Sequence, residues 1–590
     1  MIKRTVTSPS TLTFCIPFVC LVIFLRFVTM NGLGATGDEP HYLLITYSFV
    51  HDGDFDLSNN YQQHDADAWF PGLEPAPHAF DYKGNGKLYS AHGIGLGVLL
   101  VPALILMPRQ PVLAGHLSLV FVTAITIQQT FLLCLDLFRK KWLARLTLAI
   151  MLCCVPVLFM SNQIYPDVPA ALLTIIAARA LFKLPKPRAA LILGVALALM
   201  PWFHVRYIPI AATIGLIGLV RVVLSGHRKV LFFFVTPLVL SALVFVGAYL
   251  QWYGNPLANA QYSHLPHGTF SVSQFLNMLV AVAWDREVGF IPVAPIFLIA
   301  LTGMTLAILG KNTFMKFLLT VVLVYFIILV YSLSANIATW GTSYPWRFMF
   351  PVLPLLVLFM SYVIDTIQPV VYLALPLLIV SLAICLLAAG SPKVFYPTET
   401  GILPVSGLNR VQQLLPSMYY KPFQSIAAIK GENSTGQVTS EDWAKVVCAV
   451  EEESQPGLLS WGIRGGVMPG EFQATFSIKA SGAAGTDLVG FISLLDNTTL
   501  QTVVSKELLG ADFPVPDKYE SFVLSIKTDR ANVVGTLVQY AGRVELCLEK
   551  ISFEQVSSTY PASSPYLAVI ATTGAVIVGL NGGAYQRKKR

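Results

Sequence analysis

Along most of this chain apolar residues run in blocks of about 20, the length a helix needs to cross a hydrocarbon core. Twelve such blocks are read at approximately 11–30, 112–137, 142–160, 167–183, 188–203, 206–224, 229–250, 291–309, 317–334, 348–365, 368–389 and 566–582. The first follows Lys3 and Arg4 and has no small-residue cleavage site after it, which favours an uncleaved anchor over a removed signal. The run 93–107 (GIGLGVLLVPALILM) is only about 15 residues long and predicts an interfacial or re-entrant helix instead of a span. From Trp443 onward the period changes to two. The runs 471–480, 487–496, 520–528, 532–541 and 543–553 alternate like short strands, which predicts a β-sandwich. The expected organisation is an all-α polytopic membrane domain of about 12 transmembrane helices over 1–390, with an external loop at 31–111. A linker at 391–442, an external β-sandwich at 443–556 and a last transmembrane helix at 566–582 follow.

Composition supports this division. Of 590 residues, 55% are hydrophobic and only 12% charged, with a mean hydropathy of +0.65. A soluble domain carries about 25% charged residues, so a soluble enzyme, a disordered regulator and a coiled coil are excluded. The net charge of +7 could suggest a nucleic-acid partner. The basic residues sit instead in short clusters between apolar runs: RKK at 139–141, KLPKPR at 183–188, HRK at 227–229, Lys311 with Lys316, and RKKR at 587–590. Keeping all five on the cytoplasmic side, as the positive-inside rule asks, requires that 93–107 does not cross. Both termini are then cytoplasmic, and the polar pieces 31–92, 161–166, 251–290, 335–347 and 390–565 are external.

Six of the eight cysteines lie in apolar blocks, where Cys acts as a small hydrophobe. Cys448 and Cys547 lie in the strand-like region, outside the membrane on this topology. A bridge between them is expected in preference to two separate thiols. Closing about 100 residues stabilises by roughly 4–5 kcal/mol in the chain-entropy model, and an oxidising exterior permits it. Two N-x-S/T sequons, at Asn433 and Asn497, also fall outside. No CxxC, HExxH or other compact metal-ligand spacing is present.

Candidate chemistry gathers on the external face. Asp38 and Glu39 follow the first span directly, and Pro40 suits the first turn of a helix along the interface. The bland alternative for Asp38 is a helix cap. Two adjacent acids at a membrane surface are costly without a task. Asp167 stands in the turn YPDVPAAL (165–172), again with a cap as the alternative. PWFHVRY (201–207) brings His204, Arg206 and Tyr207 to the outer ends of two helices, and an arginine there needs an anionic partner. WDREVGFIP (284–292) offers Asp285, Arg286 and Glu287, and WGTSYPWRF (340–348) offers Arg347. Both arginines could instead be snorkelling anchors. His41 and His92 complete the candidate set, with His92 open to a simple turn role. Carboxylates suit general-base work and arginines suit a phosphate at membrane depth. With no nucleotide pool outside the membrane, an activated group would arrive there on a lipid.

At this point the chain resembles the polyprenyl-phosphate-sugar-dependent glycosyltransferases of the GT-C fold, in the branch of the protein O-mannosyltransferases and aminoarabinose transferases. The resemblance covers residues 11–390. It rests on GDEPHY (37–42), LYSAHGIGLGVLLVPAL (88–104), SNQIYPDVPAALL (161–173) and the helix pair around HVRY (204–207). It implies a GT-C-like catalytic domain in which Asp38 is the base that deprotonates the acceptor, its pKa tuned by burial beside Glu39. Glu39 and Asp167 would position acceptor or donor, and Arg206, Arg286 and Arg347 would hold the donor phosphate. The implied reaction is one displacement at the anomeric carbon with inversion. Its partners would be a polyprenyl-phosphate-linked sugar, a lipid, glycan or protein acceptor, and membrane lipids. Some relatives have a lysine where this chain has His204 and Arg206, so donor contacts there are expected to differ.

No cofactor is specified. Asp38, Glu39 and Asp167 carry oxygen chemistry suited to a hard divalent cation, although nothing in their spacing demands one. A ligase for a lipid-linked glycan differs from this reading only in donor size. A transporter or flippase of a lipid-linked sugar would place charges near the midplane in repeated halves, which this chain does not show. A non-catalytic anchor for a sugar-binding sandwich would leave eleven blocks and the Asp-Glu loop without a role.

Overall fold

The computed structural model describes residues 9–31, 37–67, 69–70, 78–263, 270, 272–285, 289–335, 344–390, 392, 423–441, 444–450, 453–467, 470–482, 485–496, 501–515, 518–528 and 532–558. The chain forms two compact units, one helical and one built of strands.

In the helical unit, seven helices among the described residues are long and apolar enough to cross a membrane. They are Thr11–Met30, Pro111–Phe138, Val205–Leu224, Arg228–Tyr253, Thr313–Ser334, Trp346–Thr366 and Val370–Gly390. Five of the twelve expected spans are not among these seven. The block 142–160 is two pieces, Lys141–Leu152 and Val155–Met160, with Pro156 opening the second. The block 291–309 breaks into Phe290–Val293, Pro295–Phe297 and Leu298–Leu309, since Pro295 cannot continue a helical ladder. The helices Asp167–Phe182 and Pro187–Phe203, of 16 and 17 residues, fall just short of a full crossing. The block 566–582 lies outside the described residues. Lipid-type surface is plain on Arg228–Tyr253, where Phe232, Leu243 and Val244 are each more than 60% exposed.

The run 93–107 forms the 13-residue helix Ile94–Leu106. At about 1.5 Å per residue it is roughly 20 Å long, less than a bilayer core of about 30 Å. Two glycines fix its seat. A Cβ on Gly93 would lie 2.6 Å from the carbonyl oxygen of Phe203, and one on Gly97 would meet the side chain of Ile45. The short helix thus lies directly on the end of Pro187–Phe203 and on the helix Glu39–His51. Those two contacts place the first loop beside the turn that carries His204.

The strand unit is a sandwich. One sheet has the order β10 (Glu520–Thr528), β7 (Gly470–Ser481), β12 (Glu545–Ser558), β5 (Ala444–Ala449), β4 (Gln437–Glu441), with β3 (Phe423–Ala427) also on β12. The other has the order β6 (Gly457–Val467), β11 (Asn532–Tyr540), β8 (Leu488–Asp496), β9 (Thr502–Leu509). The alternation along β7 turns Phe472, Ala474, Phe476, Ile478 and Ala480 inward against Ile492, Leu494, Val534 and Val538 of the facing sheet. The strands begin before Trp443: β3 and β4 lie within the stretch expected to be linker. Each is only five residues long, and β4 is an edge strand, so neither carries the long alternation that betrays a central strand. Cys448 and Cys547 are cross-strand partners on β5 and β12 and form the expected disulfide. The Asn433 amide donates to the carbonyls of Thr435 and Gly436, and Asn497 lies outside the described residues.

Candidate active site

A two-strand ribbon organises the first loop. β1 (Ala79–Phe80) pairs antiparallel with β2 (Tyr89–Ser90), and the Ala91 amide donates to the His78 carbonyl. The connecting loop is closed by Asp81, whose carboxylate accepts from the amides of Lys83, Asn85 and Gly86. Those amides, led by Gly86, hold its pKa below the usual carboxylate value. This register sets His78 beside His92, with Nδ1 of one 3.2 Å from Nε2 of the other. His41, in the first turns of Glu39–His51, stacks on His78 at 4.1 Å between ring centroids. Tyr61 Oη lies 2.8 Å from His41 Nδ1 and accepts the His78 amide at 3.3 Å.

Asp38 faces this imidazole cluster. It is the N-cap residue of Glu39–His51, yet its side chain makes no capping bond. Its amide donates to Tyr165 Oη at 3.3 Å, and Arg347 Nη1 approaches its Oδ2 at 3.4 Å. Glu39 is 1% exposed and lies 3.4 Å from His116 Nε2. The neighbours of Asp38 shift its carboxyl in a direction the sequence did not suggest. Burial works against the charged form, but His92, Arg347, His41 and His78 outweigh it and hold the carboxyl below the usual range. Burial in turn pushes His92 down to about 4, with Asp38 opposing and His78 and Arg347 adding to it. Burial, then His92 and His78, push His41 down to about 2.

A second ion pair lies at the next turn. Asp167, fully buried in the first turn of Asp167–Phe182, receives Arg206 Nη2 at 3.0 Å and the Tyr207 hydroxyl at 2.9 Å, both on Oδ1. Its Oδ2 and the Nε atoms of Arg206 and Arg347 are buried with no hydrogen-bond partner among the described residues. Aromatic rings join the two pairs. The Arg347 guanidinium lies 4.3 Å from the Tyr165 ring and 4.8 Å from Phe348, while that of Arg206 lies 4.6 Å from Phe348. Both arginines stand in single 3-10 segments, Val205–Tyr207 and Pro345–Val352. Pro351, inside the second, has no N–H to donate to the carbonyl four residues earlier and so interrupts an α-helical ladder there. His204 Nδ1 accepts the Arg206 amide at 3.0 Å, leaving Nε2 to carry the proton toward Tyr262 Oη at 3.0 Å. Burial first, and Arg206 next, keep His204 well below the ordinary histidine value.

Asp38, His41, His92 and Arg347 are therefore in one cluster, and Asp167, Arg206, Tyr207 and His204 in the adjoining one. Glu39 lies beside His116. Asp285 is fully buried after the helix Val272–Trp284, and Arg286 lies outside the described residues. Sequence reasoning missed His78, Tyr61, Tyr165 and Tyr262. Tyr165 was within reach, since it adjoins the acidic turn; the other three acquire meaning only from the pairing of distant loops.

No protein-family model matches the chain, and no curated protein does. Solved structures similar to it include the following three. ArnT from Cupriavidus metallidurans in the apo state is 16% identical, covering 67% of each chain, with a TM-score of 0.41. An Archaeoglobus fulgidus oligosaccharyltransferase complex with zinc and sulfate is 13% identical with a TM-score of 0.37. It covers 64% of this chain and 53% of that one. AglB from Archaeoglobus fulgidus, with an inhibitory peptide and a dolichol-phosphate, is 10% identical with a TM-score of 0.36. It covers 65% of this chain and 56% of that one. The chain thus spans little more than half the length of the two archaeal proteins.

Proposed function

We propose that the protein is a membrane glycosyltransferase that moves a sugar from a polyprenyl-phosphate-linked donor to an acceptor on the external face, with inversion. One observation carries this reading. Two carboxylate–arginine pairs from four distant segments, Asp38–Arg347 and Asp167–Arg206, meet around Phe348, and both guanidiniums keep a buried Nε with no partner among the described residues. An arginine left with unmatched donors in a buried site suits an incoming phosphate.

Asp38 is a weak base while His92 and Arg347 face it. A donor phosphate would draw Arg347 away and so return part of the basicity of Asp38 at the moment of need. The acceptor O–H or N–H proton then passes to Asp38 as its lone pair attacks the anomeric carbon. The bond from that carbon to the phosphate oxygen breaks on the opposite face, and Arg347 and Arg206 take the charge that develops there. Asp167 and Tyr207 hold Arg206 in place, since both bond on one side of it.

The test is transfer by the protein in nanodiscs from a panel of radiolabelled polyprenyl-phosphate sugars to a membrane extract. Asp38→Asn should retain donor binding and lose roughly 10²–10⁴-fold in rate, the usual worth of a positioned base. Equal activity in both proteins removes Asp38 from the role. Movement of labelled lipid between leaflets without transfer would replace the enzyme by a transporter.

A further inference from the structure

We propose that Asp38, His78 and His92 form a binding site for one divalent cation of the zinc class. A carboxylate oxygen of Asp38 and one ring nitrogen from each histidine lie within 4.8 Å of one another. Zinc bonds of about 2.0–2.1 Å in tetrahedral array set neighbouring ligand atoms roughly 3.4 Å apart. The 3.2 Å between His78 Nδ1 and His92 Nε2 already has that spacing, and the carboxylate, within 4.8 Å of both, has to approach by no more than about 1.4 Å. Among the described residues Arg347 is bonded to Oδ2 of Asp38 alone, which leaves the second oxygen to an ion.

The surroundings are built as a supporting shell. His41 stacks on the His78 ring, and Tyr61 holds both His41 and the His78 amide. The His92 amide donates to Ser90 Oγ within the ribbon. Such outer contacts fix imidazole orientation in metal sites. The donor set also chooses the ion. Two imidazoles and one carboxylate suit zinc and its transition-metal neighbours, whereas magnesium and calcium prefer sites made of oxygen. Three protein ligands leave a position open, as catalytic sites do. The ion would supply Lewis acidity to an oxygen bound there.

The cluster lies within the proposed transfer site, but the inference does not depend on that reading, because binding is measured without donor or acceptor. The probe is Zn²⁺ alone, titrated calorimetrically into chelator-treated protein that carries no histidine tag. One equivalent per chain is expected, undisplaced by a large excess of Mg²⁺. His78→Asn and His92→Asn should each weaken binding by at least about tenfold, while His227→Gln should bind like wild type. Co²⁺ should give the intense visible absorption of a four-coordinate site in wild type, which decides the matter if either variant fails to elute as a single species. No stoichiometric binding, displacement by Mg²⁺, a weak six-coordinate Co²⁺ spectrum or unaltered binding by both variants each overturns the site. Zinc binding with no sugar transfer would remove the transferase and leave the site standing.

Discussion

Asp167 has no exposed surface and is matched to a single guanidinium, so its charge and that of Arg206 are tolerable only together. Removing one partner of a buried pair typically costs about 3–5 kcal/mol, because the other charge remains buried. Losing one hydrogen bond to a charged group costs about 1.5–3 kcal/mol. Asp167→Asn should therefore lower the thermal unfolding midpoint in micelles clearly more than Tyr207→Phe, although both remove a contact to the same group. Equal losses would mean that Tyr207, not the ion pair, anchors the turn. His204 supports a pH prediction. It is neutral in the folded protein, held below its ordinary value by burial and Arg206. The unfolded chain takes up a proton there below about pH 6.5, so stability falls as pH drops through that value. His204→Gln should flatten the decline in unfolding midpoint between pH 7 and 5 relative to wild type, and parallel curves would refute the assignment.

At the scale of elements, Ile94–Leu106 owes its position to backbone contact. At Gly93 the obstacle is the Phe203 carbonyl, which has no rotamer to yield. Gly93→Ala should cost about 1–3 kcal/mol, the range for overpacking, and lower transfer, because it shifts the loop that carries His92. Gly247→Ala is the matched control. It lies in Arg228–Tyr253 with nothing within 4 Å of an added Cβ, and alanine there should be neutral or favourable by up to about 1 kcal/mol. Thermal midpoints of the two variants should move in opposite directions, or only the first should move. The same contacts explain what the sequence did and did not reveal. The run 93–107 was legible as a short helix because length alone separates it from a span. The acids at 38 and 167 and the arginines at 206 and 347 were legible as costly residues at the ends of apolar blocks. Their pairing was not, since Asp38 with Arg347 and Asp167 with Arg206 arises from helix packing over 309 and 39 residues. Adjacency along the chain does not by itself bring Glu39 to the contacts of Asp38: on a helix start neighbouring residues point about 100° apart, and Glu39 lies 3.4 Å from His116.

For the whole molecule the informative contrast is between two ways of holding a chain together. Among the described residues the helical unit distributes its polar contacts over many distant pairs, while the sandwich has a covalent tie and a large apolar core, with a small buried cluster around the disulfide. Every core residue of the sandwich, from Ala428 to Phe553, belongs to the strand unit. The Cys448–Cys547 bridge spans 99 positions and joins β5 to β12, the strand that also pairs with β3 and β7. It therefore restrains the central strand of its sheet against nearly the full length of the domain. In the chain-entropy model, closing a loop of that size stabilises by about 4–5 kcal/mol, with measured losses on removal of about 2–5 kcal/mol. The double variant Cys448→Ala, Cys547→Ala should accordingly speed hydrogen exchange in peptides from β5, β7 and β12 by at least about 30-fold where exchange requires opening of the domain, since 2 kcal/mol is a factor of that order. Peptides from Asp167–Phe182 should exchange as in wild type, because their protection comes from a separate core. Unchanged exchange in the strands would mean that apolar packing alone sustains the sandwich. Faster exchange in Asp167–Phe182 would mean that the stability of the helical unit depends on the strand domain.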